Sequence, residues 1–171
     1  ETVDDHVLGL LEKGHTRAEF AAAVALAGDA GLALSPTFIP FTPWTTVAGY
    51  LDLLRQIVDL DLIAHVGPVQ LAIRLLITQG SRLLDLEDIR RCTGDFDPDA
   101  LAYPWAHPDP AVDRLQATVT AAVADGEEND ATRQQIFARL WHLAHEACGL
   151  PSRPLAADAS FVPHLSEPWY C

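Results

Sequence analysis

The chain has 171 residues, with 24 acidic against 11 basic side chains, a formal charge of −13, three cysteines and no methionine. An apolar share of 49% can bury a real core, which excludes disordered and collagen-like classes, and the negative charge, with no basic cluster to offset it, opposes a phosphate backbone, so nucleic acid is not an expected partner. The cysteines at 92, 148 and 171 make neither a disulfide scaffold nor a zinc ribbon, and no apolar stretch approaches the about 20 residues of a membrane span, so a cytoplasmic protein without a membrane partner is expected.

From the N-terminus, Val3 to Leu11 has mostly helical spacing, with Gly14 as a stop. Thr16-Arg17-Ala18-Glu19 reads as a capping box, and the alanine-rich run from Phe20 to Ala30 after it predicts a helix closed by Gly31. Leu32 to Phe41 carries bulky and β-branched residues and two prolines, which predicts a strand running into a loop. Thr42 to Thr46 is a turn into an N-cap, followed by an amphipathic stripe through Val47, Tyr50, Leu51, Leu54, Ile57 and Val58. Leu60 to Val66 and Val69 to Ile77 are short apolar runs that fit strands of a sheet covered on both faces. The resulting alternation predicts parallel α/β construction.

Beyond Ser81 the composition changes. Leu84 to Cys92 predicts a short helix, and the proline-rich stretch from Phe96 to Pro110, with Tyr103, Trp105 and His107, an ordered loop. Two helices, Ala111 to Ala124 and Ala131 to Cys148, predict an antiparallel hairpin. Gly149 to Cys171 is read as an extended tail.

Several residues could carry chemistry. Arg74 lies within the apolar run from Gln70 to Leu76, where a guanidinium needs a carboxylate, a phosphate or a wet pocket beside it. Both an internal ion pair and a ligand cavity remain open. Regular pairing would place Gln70 on the same strand face as Arg74. The Pro36 to Thr46 segment, Thr37 included, either leads to a ligand-collecting helix start or is a proline-stiffened turn with Trp44 as a core plug. His142-x-x-His145-x-x-Cys148 has metal-like spacing, but helical steps turn both histidines away from the apolar face, so a solvated polar face with a buried thiol is expected and no metal site is assigned.

Three phrases carry a family resemblance: Glu1-Thr2-Val3-Asp4-Asp5, Leu11-Glu12-Lys13-Gly14-His15-Thr16, and Phe38-Ile39-Pro40-Phe41-Thr42-Pro43-Trp44-Thr45-Thr46. Together they resemble the second half of a radical S-adenosylmethionine (SAM) enzyme, with Thr2 where serine is commoner. Val66 to Leu76 and the closing Leu165-Ser166-Glu167-Pro168-Trp169-Tyr170-Cys171 are similar to the radical SAM proteins named for a Cys-Cys-Ala-Glu-Pro or Cys-selenocysteine-Ala-Glu-Pro tail. The C-x3-C-x2-C motif that binds the family's 4Fe-4S cluster is absent from the sequence.

The resemblance implies an α/β fold: residues 1–81 as the later half of a partial (β/α)6 barrel with parallel strands, 82–148 as a helical extension with the hairpin, and 149–171 as the tail. It implies a C-terminal fragment, inactive alone, of an enzyme that cleaves SAM reductively and abstracts hydrogen from an unknown small-molecule or peptide substrate. SAM and a 4Fe-4S cluster would serve the intact parent, with neither held tightly by this fragment. The partner would be a missing N-terminal barrel half. Glu1, Thr37, Gln70 and Arg74 are the candidates for the cofactor side. Cys171 is the catalytic candidate, as one member of a redox pair interrupted by an unread selenocysteine codon, or else a frayed terminal thiol. The rival function is a non-catalytic, acidic, helical protein-binding module.

Overall fold

The computed structural model describes residues 1–152 and 154–155. Among them the secondary structure consists of helices α1 (Asp5–Leu10), α2 (Arg17–Asp29), α3 (Val47–Asp59), α4 (Glu87–Cys92), α5 (Pro110–Glu128) and α6 (Arg133–Ala147), with short 3-10 turns at Pro68–Leu71 and Arg82–Asp85. Local chemistry explains the helix ends. The Asp4 carboxylate accepts from the His6 and Val7 amides at the start of α1. Thr16 with Glu19 and Thr132 with Gln135 form reciprocal capping boxes on α2 and α6. Gly31 and Gly149 follow the ends of α2 and α6 with φ of 68° and 65°, a left-handed conformation that costs glycine little.

The expected α/β fold, with half a (β/α)6 barrel of parallel strands, is corrected: the fold is helical, and the described residues contain isolated β-bridges but no strand. Three extended segments do lie side by side. The Ile39 amide donates to the Glu1 carbonyl at 2.7 Å, Phe41 N–H to Ile73 O at 3.2 Å, and Leu75 N–H to Phe41 O at 2.8 Å. Phe41 and Arg74 form one parallel bridge. Proline at 40 and 43 removes amide donors on either side of Phe41, and Pro68 starts a 3-10 turn that takes Val69, Gln70 and Leu71 out of the predicted strand. Leu60 to Val66 is apolar for another reason. It turns back at Asp61, φ 55°, and buries Leu62, Ala64 and Val66 beneath the end of α3.

Most of the core lies among α3, α5 and α6. Tyr50, Leu54, Ile57, Val112, Val119, Ile136, Phe137 and Leu140 from these helices belong to one cluster with Leu71 from the 3-10 turn and Phe38 and Phe41 from the extended side. The rings of Phe41 and Tyr50 stack at 4.8 Å, and the buried Tyr50 hydroxyl donates to Leu71 O at 3.1 Å. The predicted hairpin is present, although α5 continues four residues beyond Ala124. Its helices pack closely at Gly126, where a β-carbon would stand 2.6 Å from Ile136 Cγ1.

A smaller cluster lies on the other side of the extended segments. Leu75, Ile77 and Ile89 pack there with Ile39, Trp44, Leu83, Tyr103 and Trp105. Adjacent residues Phe38 and Ile39 thus face different clusters, as extended backbone requires. No helix among the described residues is long and apolar enough to cross a membrane.

Candidate functional site

The first residues to consider are those beside the extended segments. Ile39 and Leu75, from neighbouring segments, form the floor of a cavity of about 480 Å3. The end of α1 supplies Leu10, Leu11, Glu12 and Lys13, and the Ser81–Leu86 stretch closes the opposite side. Two ion pairs border it. Arg82 donates from both terminal nitrogens to Glu12 at 2.7 and 2.9 Å, and Lys13 Nζ lies 2.7 Å from Glu1 Oε1. The chain reaches this geometry through Glu12, φ 52°, and Gly14, φ 69°, which turn the residues after α1 back toward the N-terminus. The hydrogen bond from Lys13 holds the Glu1 carboxyl below its usual range, against the opposing effect of partial burial. An apolar floor with a charged, hydrogen-bonding rim suits a small molecule that has both apolar and polar parts.

Glu1 reaches this cavity through Lys13, whereas the other cofactor candidates sit elsewhere. Thr37 is exposed. Gln70 lies in the Pro68–Leu71 turn, where its side-chain oxygen accepts from Phe38 N–H at 3.2 Å and ties that turn to the extended segment. Arg74 points to the proline-rich loop. Its Nη1 is 2.7 Å from Asp113 Oδ1, its Nη2 donates to Trp105 O at 2.7 Å, and the guanidinium carbon lies 3.5 Å from the Trp105 ring centroid. The internal ion pair is therefore what occupies this guanidinium. Gln70 and Arg74 do not converge, because the 3-10 turn breaks the strand alternation that would have aligned them. Cys171 lies outside the described residues.

The turn before α3 follows the core-plug alternative. Thr45 Oγ1 donates to Pro40 O at 2.8 Å and accepts from Thr42 N–H at 3.0 Å, and the Thr46 hydroxyl accepts from Gly49 N–H at 2.9 Å. Trp44 packs in the smaller cluster. The neighbouring cleft, about 290 Å3, carries Asp4, Asp5 and Asp52 with Arg17, so its charge is acidic overall and does not favour an anion.

Helix α6 differs from its helical-wheel reading. His145 is buried, not solvated: its Nδ1 is 2.8 Å from Trp141 O, and its ring lies 4.4 Å from that of Trp141. The Leu150 amide, just beyond α6, donates to His145 O at 2.8 Å. His142 is exposed and meets Ser152 Oγ at 3.1 Å, while Cys148 is half-buried. No group of three metal-ligating side chains occurs among the described residues. Burial pushes both the Cys92 and Cys148 thiols up, away from the thiolate form.

Lys13, Glu12 and Arg82 were not singled out by sequence reasoning. Glu12 and Lys13 both belong to the phrase Leu11-Glu12-Lys13-Gly14-His15-Thr16, but Arg82 meets Glu12 across 70 positions, a pairing with no local signal. Comparisons with family models, curated proteins and solved structures find no match to this chain.

Proposed function

We propose that this chain is part of a radical SAM enzyme, forming one wall of its cofactor and substrate cavity, with the cluster ligands supplied by polypeptide outside this sequence. The observation that carries the reading is the placement of Glu1 and Lys13. Backbone pairing with Ile39 fixes Glu1, and its carboxylate holds Lys13 at the edge of the cavity floored by Ile39 and Leu75. These are two of the phrases on which the family resemblance rests.

The donor set fits SAM and does not fit the cluster. Ile39, Leu75 and Leu83 offer an apolar surface for an adenine ring, Lys13 or Arg82 offers a cation for the aminoacyl carboxylate, and Glu1, outside the lining, holds Lys13 in place. SAM, when bound, supplies a sulfonium carbon centre whose reductive cleavage starts hydrogen abstraction. What these residues do is bind and orient it and exclude water from the apolar floor. The cluster needs three thiolates on neighbouring positions, and Cys92 and Cys148 stand on separate helices, half-buried and protonated.

The coding DNA upstream of Glu1 tests this directly. An in-frame C-x3-C-x2-C triad is expected, and an open frame without one overturns the reading. In the product of that whole frame, assembled anaerobically with iron and sulfide, Lys13→Met is expected to weaken SAM binding at least tenfold. Unchanged affinity would remove Lys13 from the site.

A further inference from the structure

Glu12 and Arg82 both line the cavity floored by Ile39 and Leu75, and they hold each other across it. The two Arg82 terminal nitrogens donate to the two Glu12 oxygens at 2.7 and 2.9 Å. This paired fork is the geometry in which a guanidinium takes any carboxylate, so Glu12 stands on Arg82 as a ligand carboxylate would. The side chains keep 80% and 63% of their exposure. A pair so open to water is screened and adds little to stability, and little opposes its exchange for another pair.

The backbone at Glu12 is a second, separate observation. Its φ of 52° is the left-handed position that closes α1, with its own amide on Gly9 O at 3.1 Å and the Lys13 amide on Leu8 O at 3.0 Å. Glycine takes this conformation at little cost, and a residue with a β-carbon is uncommon there. Ending the helix therefore does not account for a glutamate at this position. What the side chain adds is the carboxylate on Arg82.

We infer that Glu12 is a built-in competitor for Arg82, displaced when a small carboxylate with an apolar body enters the cavity. The inference deepens the function proposed above and rests on that reading of the cavity as a ligand site; it adds what the ligand's carboxylate must displace. The exchange trades one carboxylate–guanidinium pair for another and releases Glu12 to water. The polar part of binding is then nearly balanced, and the net gain comes from the apolar body against Ile39, Leu75 and Leu83. Glu12 thereby sets selectivity. A bare carboxylate gains nothing by the exchange, and a neutral amide does not displace a charged partner.

Titration of the full chain with phenylacetate and with phenylacetamide, followed by the Ile39 and Leu75 methyl resonances, tests this. Glu12→Gln should tighten phenylacetate about threefold or more, within what release of an exposed ion pair supplies, and leave phenylacetamide unchanged. Asp85→Asn removes the other carboxylate of the lining and should leave phenylacetate near its wild-type affinity. Adding Arg82→Gln to Glu12→Gln should abolish the gain. An equal gain in Asp85→Asn, or one that survives the loss of Arg82, would trace the effect to overall charge and overturn the inference. Unchanged phenylacetate affinity in Glu12→Gln, with both probes bound, would overturn it while leaving the cavity a ligand site. Binding of neither probe to the wild type or any variant would overturn the cavity as a ligand site, and the inference with it.

Discussion

Arg74 stacks its guanidinium on Trp105, 3.5 Å from the ring centroid, while the Trp105 indole N–H donates at 2.8 Å to the carbonyl of Leu75, the neighbour of Arg74 in sequence. The two side chains thus bind each other's backbone neighbourhood. Asp113 completes the clamp by accepting from Arg74 through Oδ1 and from His107 N–H through Oδ2. A proline-rich loop that contains isolated β-bridges but no helix or strand is held to the third extended segment and to the first turn of α5 in this way.

Removing the guanidinium should loosen that loop. Arg74→Met keeps an apolar stem and leaves Asp113 Oδ1 and the Trp105 carbonyl without the guanidinium donor, while Asp113 Oδ2 keeps the His107 amide, at a cost of roughly 1–2 kcal/mol for a charged hydrogen bond at a partly exposed site. Chemical denaturation measures it. A double-mutant cycle with Asp113→Asn should show non-additivity, and additive losses would mean the pair carries no coupling.

Acid should dissolve the same clamp. Burial pushes the Asp113 carboxyl up, but the Arg74 hydrogen bond, the His107 amide and the nearby positive charges together outweigh it, so the carboxyl titrates below its ordinary value of 3.8. A carboxyl depressed in the folded state binds its proton more readily when unfolded. Its contribution is therefore present above about pH 4 and disappears as pH falls through the folded value. Between pH 5 and pH 2, about the range over which this linkage acts, the wild type should lose more stability than Asp113→Asn, as followed by thermal unfolding.

The hairpin has one position where even a methyl group is too much. In Gly126→Ala the new β-carbon would meet Ile136 Cγ1 at 2.6 Å and Cδ1 at 2.9 Å. Overpacking of this kind costs about 1–3 kcal/mol. Ile136→Ala added to it removes both clashing atoms, so the double variant should be more stable than the sum of the two single losses predicts. Simple additivity in urea denaturation would show that the helices separate without resistance.

The two capping boxes are chemically alike and should differ in consequence. Thr132 starts α6, which buries Ile136, Phe137, Leu140, Ala144 and His145, whereas α2 has no buried residue. Thr132→Ala should lower global stability by about 1 kcal/mol. Thr16→Ala should instead speed hydrogen exchange of the α2 amides with little change in the global transition. Equal effects on both readouts would show that α2 is coupled to the core as tightly as α6.

Helices were legible in the sequence because their signals are local. The Thr16–Glu19 box, the Thr46 cap, the stripe through Tyr50, Leu54 and Ile57, and the two hairpin helices each lie within a few turns of backbone, and the structure places helices there. The strand reading fails because an apolar run does not record pairing. Within Leu60 to Val66 the residues Leu62, Ala64 and Val66 are buried in a turn, and in the 3-10 segment Leu71 is buried while Val69 is exposed. The site was less legible still. Glu1 stands beside the cavity, but its Lys13 partner and the Glu12–Arg82 pair were not assigned a role, and His145 was placed in water.

The amino-acid order alone determined where helices begin and stop, because caps, glycine turns and 3.6-residue periodicity act between near neighbours. Whether extended segments become a sheet, which carboxylate neutralises Arg74, and which cations border the Ile39–Leu75 cavity were decided only by the tertiary structure. Those outcomes depend on amides lost to proline and on charges brought together from distant positions, and neither effect leaves a periodic trace along the chain.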